Sequence, residues 1–188
     1  VRARAFVSEE EQRLAMEKLR GWAQWALLGP MSPLARPILV ESDPRFHTLG
    51  LYDRLLEASR WYSRTEPAEA VDIVRLAILV AERLDPAMIG QKRVADLTAA
   101  AWAELGNARR IGGDFEGAAK ALNEAWRIQE AGTGDPAQEA RLLSLDASYT
   151  KDIGEFEMAE STLEEALRLY QKADDIHQQG RTLFQMGD

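Results

Sequence analysis

The 188-residue chain is 46% hydrophobic and 29% charged, enough apolar material for a core, with a formal net charge of −8. It has no cysteine, which excludes disulfides, thiol chemistry and zinc–thiolate sites, and no apolar run near the roughly 20 residues that span a bilayer. Residues 1–98 hold 14 Lys and Arg against 14 Asp and Glu, and residues 99–188 hold 9 against 17, so the second half is poorly suited to following nucleic-acid phosphates.

Arg2 and Arg4 are followed by no apolar segment of the kind a secretory leader needs, and a cytoplasmic location is expected. Ser8 followed by Glu9, Glu10 and Glu11 predicts a capping box with carboxylates at the positive end of a helix. That helix should reach about Leu28, with Leu14, Leu19, Trp22, Trp25 and Ala26 at helical spacing, before Gly29-Pro30 ends it. Residues 29–44 contain Pro30, Pro33, Pro37 and Pro44, which predicts a loop without regular helix and an internal boundary.

From Pro44 onward the periodicity is helical. Helices are predicted over 45–64 and 67–84, then one long helix from Asp85-Pro86 to Ile111, then one ending near Glu130. Gly112-Gly113-Asp114 and Gly132-Thr133-Gly134-Asp135-Pro136 each stop one helix and cap the next. Helices over 137–153, 156–172 and 176–187 follow, and no segment alternates with period two. The expected fold is all-α, in three regions: 1–44, an extra N-terminal helix and Pro-rich connection; 45–98, a degenerate repeat region; and 99–188, clear repeats.

Those repeats rest on an echo about 40 residues apart, within the range of repeat architectures. Trp102, Leu105, Gly106, Gly113, Ala118, Leu122 and Ala125 align with Leu143, Asp146, Ala147, Gly154, Ala159, Leu163 and Ala166. A third copy begins with Leu183, Met186 and Gly187, and Leu56, Ala70, Val74 and Ala77 outline a degenerate copy upstream. Asp146 stands where a large apolar residue is expected, which predicts either weaker packing or a polar contact. The opening Val1 and the incomplete last copy are expected of a piece of a longer array.

Trp102-x-x-Leu105-Gly106 with Gly113, Ala118, Leu122 and Ala125 resembles the tetratricopeptide pattern. The longer period is similar to repeats of bacterial signalling and transcription regulators and of kinesin-light-chain-type arrays. The resemblance implies a solenoid of helical hairpins in which Gly106 lets the first helix approach the second, Ala118 and Ala125 are the reciprocal small positions, and Leu122 fills the space between. It also implies a concave groove lined by the first helix of each repeat. Projected onto this chain, the groove takes Ala103, Asn107 and Arg110, then Arg141, Ser144, Ser148 and Lys151, then Arg181, with Tyr52 and Tyr62 upstream. Arg110, Arg141, Lys151 and Arg181 make that stripe basic, with Asp152 close by, and a basic stripe favours acidic side chains or a C-terminal carboxylate. Asn107 matches the asparagine of carboxylate-gripping members, whereas Ala103 stands where they carry lysine. The alternative is that Arg141 and Arg181 form salt bridges between neighbouring repeats.

Catalytic and metal-binding patterns are absent from the sequence. His47 and His177 are the only histidines, Asp174-Asp175-x-His177 reads as helix capping, and no nucleophile elbow, P-loop or zinc motif occurs. The tryptophans are expected mainly in the core, with Trp126 partly exposed and the Trp22/Trp25 helix capping the first hairpin. The expectation is a non-enzymatic protein- or peptide-binding module without cofactor, metal, membrane or direct nucleic-acid contact. Two alternatives are a sensory region of a bacterial regulator and a self-association module.

Overall fold

The computed structural model describes residues 8–187, and every regular element among them is helical. The first helix, α1 (Glu9–Leu28), begins with the expected capping box: the Ser8 amide donates to Glu11 Oε2 at 2.8 Å and the Glu11 amide donates to Ser8 Oγ at 3.2 Å. Residues 29–44 differ from expectation, because α2 (Ala35–Ser42) and a 3-10 turn (Pro44–Phe46) form there. Pro37 is third in α2, where a helical N–H has no intrahelical acceptor, so the proline removes nothing the helix uses.

Arg36 of α2 fastens this segment. It is buried, and its Nε and Nη2 donate to the carbonyls of Leu28 (3.2 Å) and Gly29 (2.8 Å), which satisfy the C-terminal end of α1. Its Nη1 also pairs with Glu69 at 2.5 Å. Helix α1 thereby gains a basic residue that its own last turn lacks.

Three helical hairpins follow. They are α3 (Leu49–Tyr62) with α4 (Pro67–Ala81), α6 (Gln91–Ile111) with α7 (Phe115–Gln129), and α8 (Pro136–Asp152) with α9 (Phe156–Lys172); α10 (Ile176–Gly187) packs on α9. The expected single helix from Asp85 is instead α5 (Pro86–Ile89) and α6, divided at Gly90, whose φ of 93° leaves the helical region. Helix α1 lies on α3, α4 contacts α6, and α6 contacts α8, so hairpins are joined in series.

The core is serial as well. A large cluster runs from Leu28 and Val40 through α3 and α4 to Leu105 and Ala121. A smaller one surrounds Leu122, Ala125 and Leu142, and a third surrounds Ala140, Ala166 and Tyr170. At Gly106 an added Cβ would lie 2.8 Å from Leu122 Cγ and 3.3 Å from the Ala118 carbonyl, the close helix approach that the small-residue spacing predicts. The polar contact at Asp146 forms too: Trp126 Nε1 donates to its Oδ2 at 3.3 Å. Burial pushes the Asp146 carboxyl above its ordinary range, and the indole N–H opposes that only in part.

The N-terminal helix corrects an expectation about its face. Leu14, Leu19 and Trp22 are more than half exposed, whereas Gly21, Gln24 and Leu28 are buried. The cause is a backbone-to-backbone approach, since a Cβ on Gly21 would sit 2.0 Å from the Gly50 carbonyl oxygen of α3. Two glycines admit that contact and turn the large apolar side chains outward. Trp22 stacks instead under the Arg54 guanidinium, 3.7 Å from its ring centroid, and Trp61 is 70% exposed, so two of the five tryptophans lie outside the core.

Gly21→Ala should therefore lower the unfolding free energy obtained from urea titration by about 1–3 kcal/mol and loosen α1. Gly180→Ala, in α10 where a Cβ meets nothing within 4 Å, should raise stability by about 0.5–1 kcal/mol. Equal effects at the two sites would contradict the packing described. Asp146→Asn keeps an acceptor for Trp126 and removes a charge whose folded-state pKa is raised. It should raise the thermal midpoint at pH 7, and the gain should vanish as pH falls below the unfolded-state value of about 3.9, where the carboxyl is protonated in both states.

Candidate functional site

Helices α3, α6, α8 and α10 bring side chains to a cavity of about 330 Å³. Arg60 of α3 and the following Ser63 and Arg64 form one wall, with Glu104, Asn107 and Ile111 of α6 beside them. Arg141, Ser144 and Leu145 of α8 and Tyr170 of α9 continue it, and Gln178, Arg181, Thr182 and Gln185 of α10 complete the lining. Four arginines and a single carboxylate line this space.

That carboxylate is buried. Oε1 of Glu104 receives Arg60 Nε at 3.0 Å and Nη2 at 2.9 Å, and it also receives Arg141 Nη2. Burial alone pushes the Glu104 carboxyl up, but the two guanidiniums outweigh it and hold the group below the ordinary range. The Arg141 guanidinium, which burial alone would push down, is raised by the same partner. One side chain from each of three hairpins thus meets at one oxygen. The arginines Arg60 and Arg141 also border a second cavity, of about 270 Å³, on the α1 side, so both are shared by the two spaces.

The projected groove residues divide into three groups. Asn107, Arg141, Ser144 and Arg181 are brought together in the large cavity. Arg110, Ser148 and Lys151 line a neighbouring space of about 210 Å³ with Asp152. Tyr62 and Ala103 line none of these spaces, and Tyr52 borders the cavity of about 270 Å³ instead. Tyr52 is 2% exposed, its phenol donates to the Leu97 carbonyl at 2.7 Å, and burial pushes its pKa up. Tyr62 packs edge-on against Trp61, with centroids 4.7 Å apart, and Ala103 is buried in the second core cluster.

Hydrogen bonding shows which groups remain uncommitted. Arg110 donates to Asn107 Oδ1 from Nε (3.3 Å) and Nη2 (2.9 Å) and pairs with Asp152, which ties α6 to α8. Ser144 and Ser148 donate to carbonyls one turn back, those of Ala140 (2.8 Å) and Ser144 (2.9 Å). Of the two arginines considered for inter-repeat salt bridges, Arg141 therefore forms one and Arg181 does not, while Arg110 forms another. Lys151, Arg64 and Arg181 make no ion pair with any described residue.

The sequence reading omitted Arg60, Arg64 and Glu104. Its available signal was Glu104 itself, the one charge between Ala99 and Ala108, a stretch otherwise made mostly of small and apolar residues. A charge within a buried face requires a partner. Among the described residues no group of His, Asp and Glu is arranged to hold a metal ion. His47 Nε2 lies 2.8 Å from the Val40 carbonyl, a structural contact. The chain matches no family model, and no curated protein and no solved structure resembles it significantly.

Because the Glu104 pKa is depressed in the folded state, its stabilising contribution is complete above the unfolded value of about 4.3 and is lost as pH falls through the folded value. Glu104→Gln should cost about 1–3 kcal/mol at pH 7, the arginines being partly solvated, and should flatten the loss of stability below about pH 4.5. Urea titrations of both proteins between pH 3 and 7 measure this. Parallel curves would show that the triad contributes no pH-dependent stability.

Proposed function

We propose that this chain is a non-enzymatic, tetratricopeptide-like array that binds a segment of another protein along the face made by α3, α6, α8 and α10. The observation that carries this reading is the large cavity. In a chain of net charge −8, four arginines surround a space whose one carboxylate is already shared by two of them. Arg64 and Arg181 are left to recognise a ligand acceptor, and guanidinium forks suit acidic side chains or a terminal carboxylate. The cavity volume lies at the lower end of the range for specific ligand pockets and accommodates one or two side chains rather than a whole segment. The remainder of a bound segment would lie along the neighbouring space at Arg110, Ser148 and Lys151.

A regulatory reading, in which such binding controls an attached domain, is favoured by one feature. Gln178, Arg181 and Gln185 belong to α10, whose principal packing is on α9 alone and whose one buried residue is Thr182. A ligand held by these side chains would tie α10 to α3 and α8.

The test is fluorescence anisotropy with a labelled Glu/Asp-rich peptide bearing a free C-terminus. Arg64→Glu with Arg181→Glu should weaken binding about tenfold or more, and Lys151→Glu less, while far-UV circular dichroism stays unchanged. Arg141→Glu is unsuitable, since it would place a second carboxylate beside buried Glu104 and destabilise the fold. Unchanged affinity in the double variant would remove this groove as the binding site.

A further inference from the structure

The large cavity carries a more specific assignment than an acidic ligand. Its serine and threonine hydroxyls have spent their protons, so the donors left to face a ligand are guanidinium and amide groups. The hydroxyls of Ser63, Ser144 and Thr182 each donate to a carbonyl one turn back, of Ser59 (2.7 Å), Ala140 (2.8 Å) and Gln178 (2.9 Å). Asn107 spends its carbonyl on Arg110, which leaves its amide N–H groups uncommitted. Glu104 Oε1 is taken by Arg60 and Arg141. What remains is Arg64, Arg181 and the Asn107 amide, in a lining where one carboxylate stands against four arginines.

Resting on the groove reading above, we propose that this cavity takes a phosphoryl dianion, with Arg64 and Arg181 as its two anchors and the Asn107 amide as a third donor. Two uncommitted guanidiniums match two negative charges, whereas a single carboxylate neutralises one. The donors also come from separate elements, the turn after α3, helix α6 and helix α10. A tetrahedral group with three acceptor oxygens can meet donors from three sides, and a planar carboxylate presents two oxygens in one plane. The phosphoryl group can arrive on a phosphorylated side chain or as a small phosphate ester, and the two sources share this chemistry.

The experiment uses the full 188-residue chain and three labelled peptides of one Gly/Ala-rich sequence, carrying serine, glutamate or phosphoserine at the centre, with inorganic phosphate and pyrophosphate as competitors. The phosphoserine form should bind at least about tenfold more tightly than the glutamate form. Arg64→Gln with Arg181→Gln should abolish that preference without changing the thermal midpoint of the free protein, because neither arginine makes an ion pair with a described residue. Hydrogen exchange in α10 should slow on binding, since Arg181 rides on that helix. Displacement by inorganic phosphate or pyrophosphate at concentrations comparable to the phosphopeptide assigns the site to a free phosphate or small ester; displacement only by phosphopeptide assigns it to a modified protein segment. If glutamate and phosphoserine forms bind equally and both depend on the two arginines, the groove stands and the phosphoryl assignment falls. Binding by none of the probes, or binding indifferent to both arginines, overturns the assignment and the groove together.

Discussion

One buried carboxylate joins the three hairpins. Glu104 lies on the middle hairpin, and its Oε1 is held by Arg60 from the hairpin before and Arg141 from the hairpin after. Removing a carboxylate from water is costly, and that cost is offset only while both guanidiniums are in place. The triad therefore fixes the relative placement of three helices whose apolar contacts are otherwise made mainly to their immediate neighbours. It also fixes the chemistry of the space beside it, because two arginines engaged on Glu104 leave Arg64 and Arg181 as the uncommitted cations.

Helix packing elsewhere relies on removing side-chain bulk. Gly106 lets Leu122 and Ala118 approach α6, and Gly21 with Gly50 brings α1 and α3 into backbone contact. Small residues shorten the distance between helices and lengthen the list of partner atoms for the large residues around them. The same device explains the outward face of α1: when two glycines make the contact, Leu14, Leu19, Leu27 and Trp22 are left on the surface. Toward the C-terminal end the core clusters become smaller, and α10 contributes only Thr182 to the buried set. Order in that helix is then the part of the fold most open to bias by a ligand.

Much of the architecture was legible in local chemistry. The capping box at Ser8, the helices 156–172 and 176–187, and the Gly113 and Gly154 turns all follow from signals that act within a few residues. Two local readings failed for local reasons. Four prolines suggested a loop over 29–44, yet Pro37 occupies a first-turn position that tolerates it, and Gly90 divided a helix that periodicity alone made continuous. The candidate site was half legible. Asn107, Arg141, Ser144 and Arg181 were projected onto one groove by the repeat spacing and line one cavity, while Tyr52 borders the other and is almost wholly buried, because spacing gives a face and not the depth of burial.

By itself the sequence determined an all-α chain, the hairpin order and the small residues where helices meet, since each depends on backbone preference or periodicity along a single helix. Only the tertiary structure decided which charges neutralise one another. Arg60, Glu104 and Arg141 are separated by 44 and 37 residues, and no pattern along the chain distinguishes them from Arg64 and Arg181. Whether an arginine is a strut or a free anchor depends on what the neighbouring hairpin places opposite it, a three-dimensional fact with no local signature.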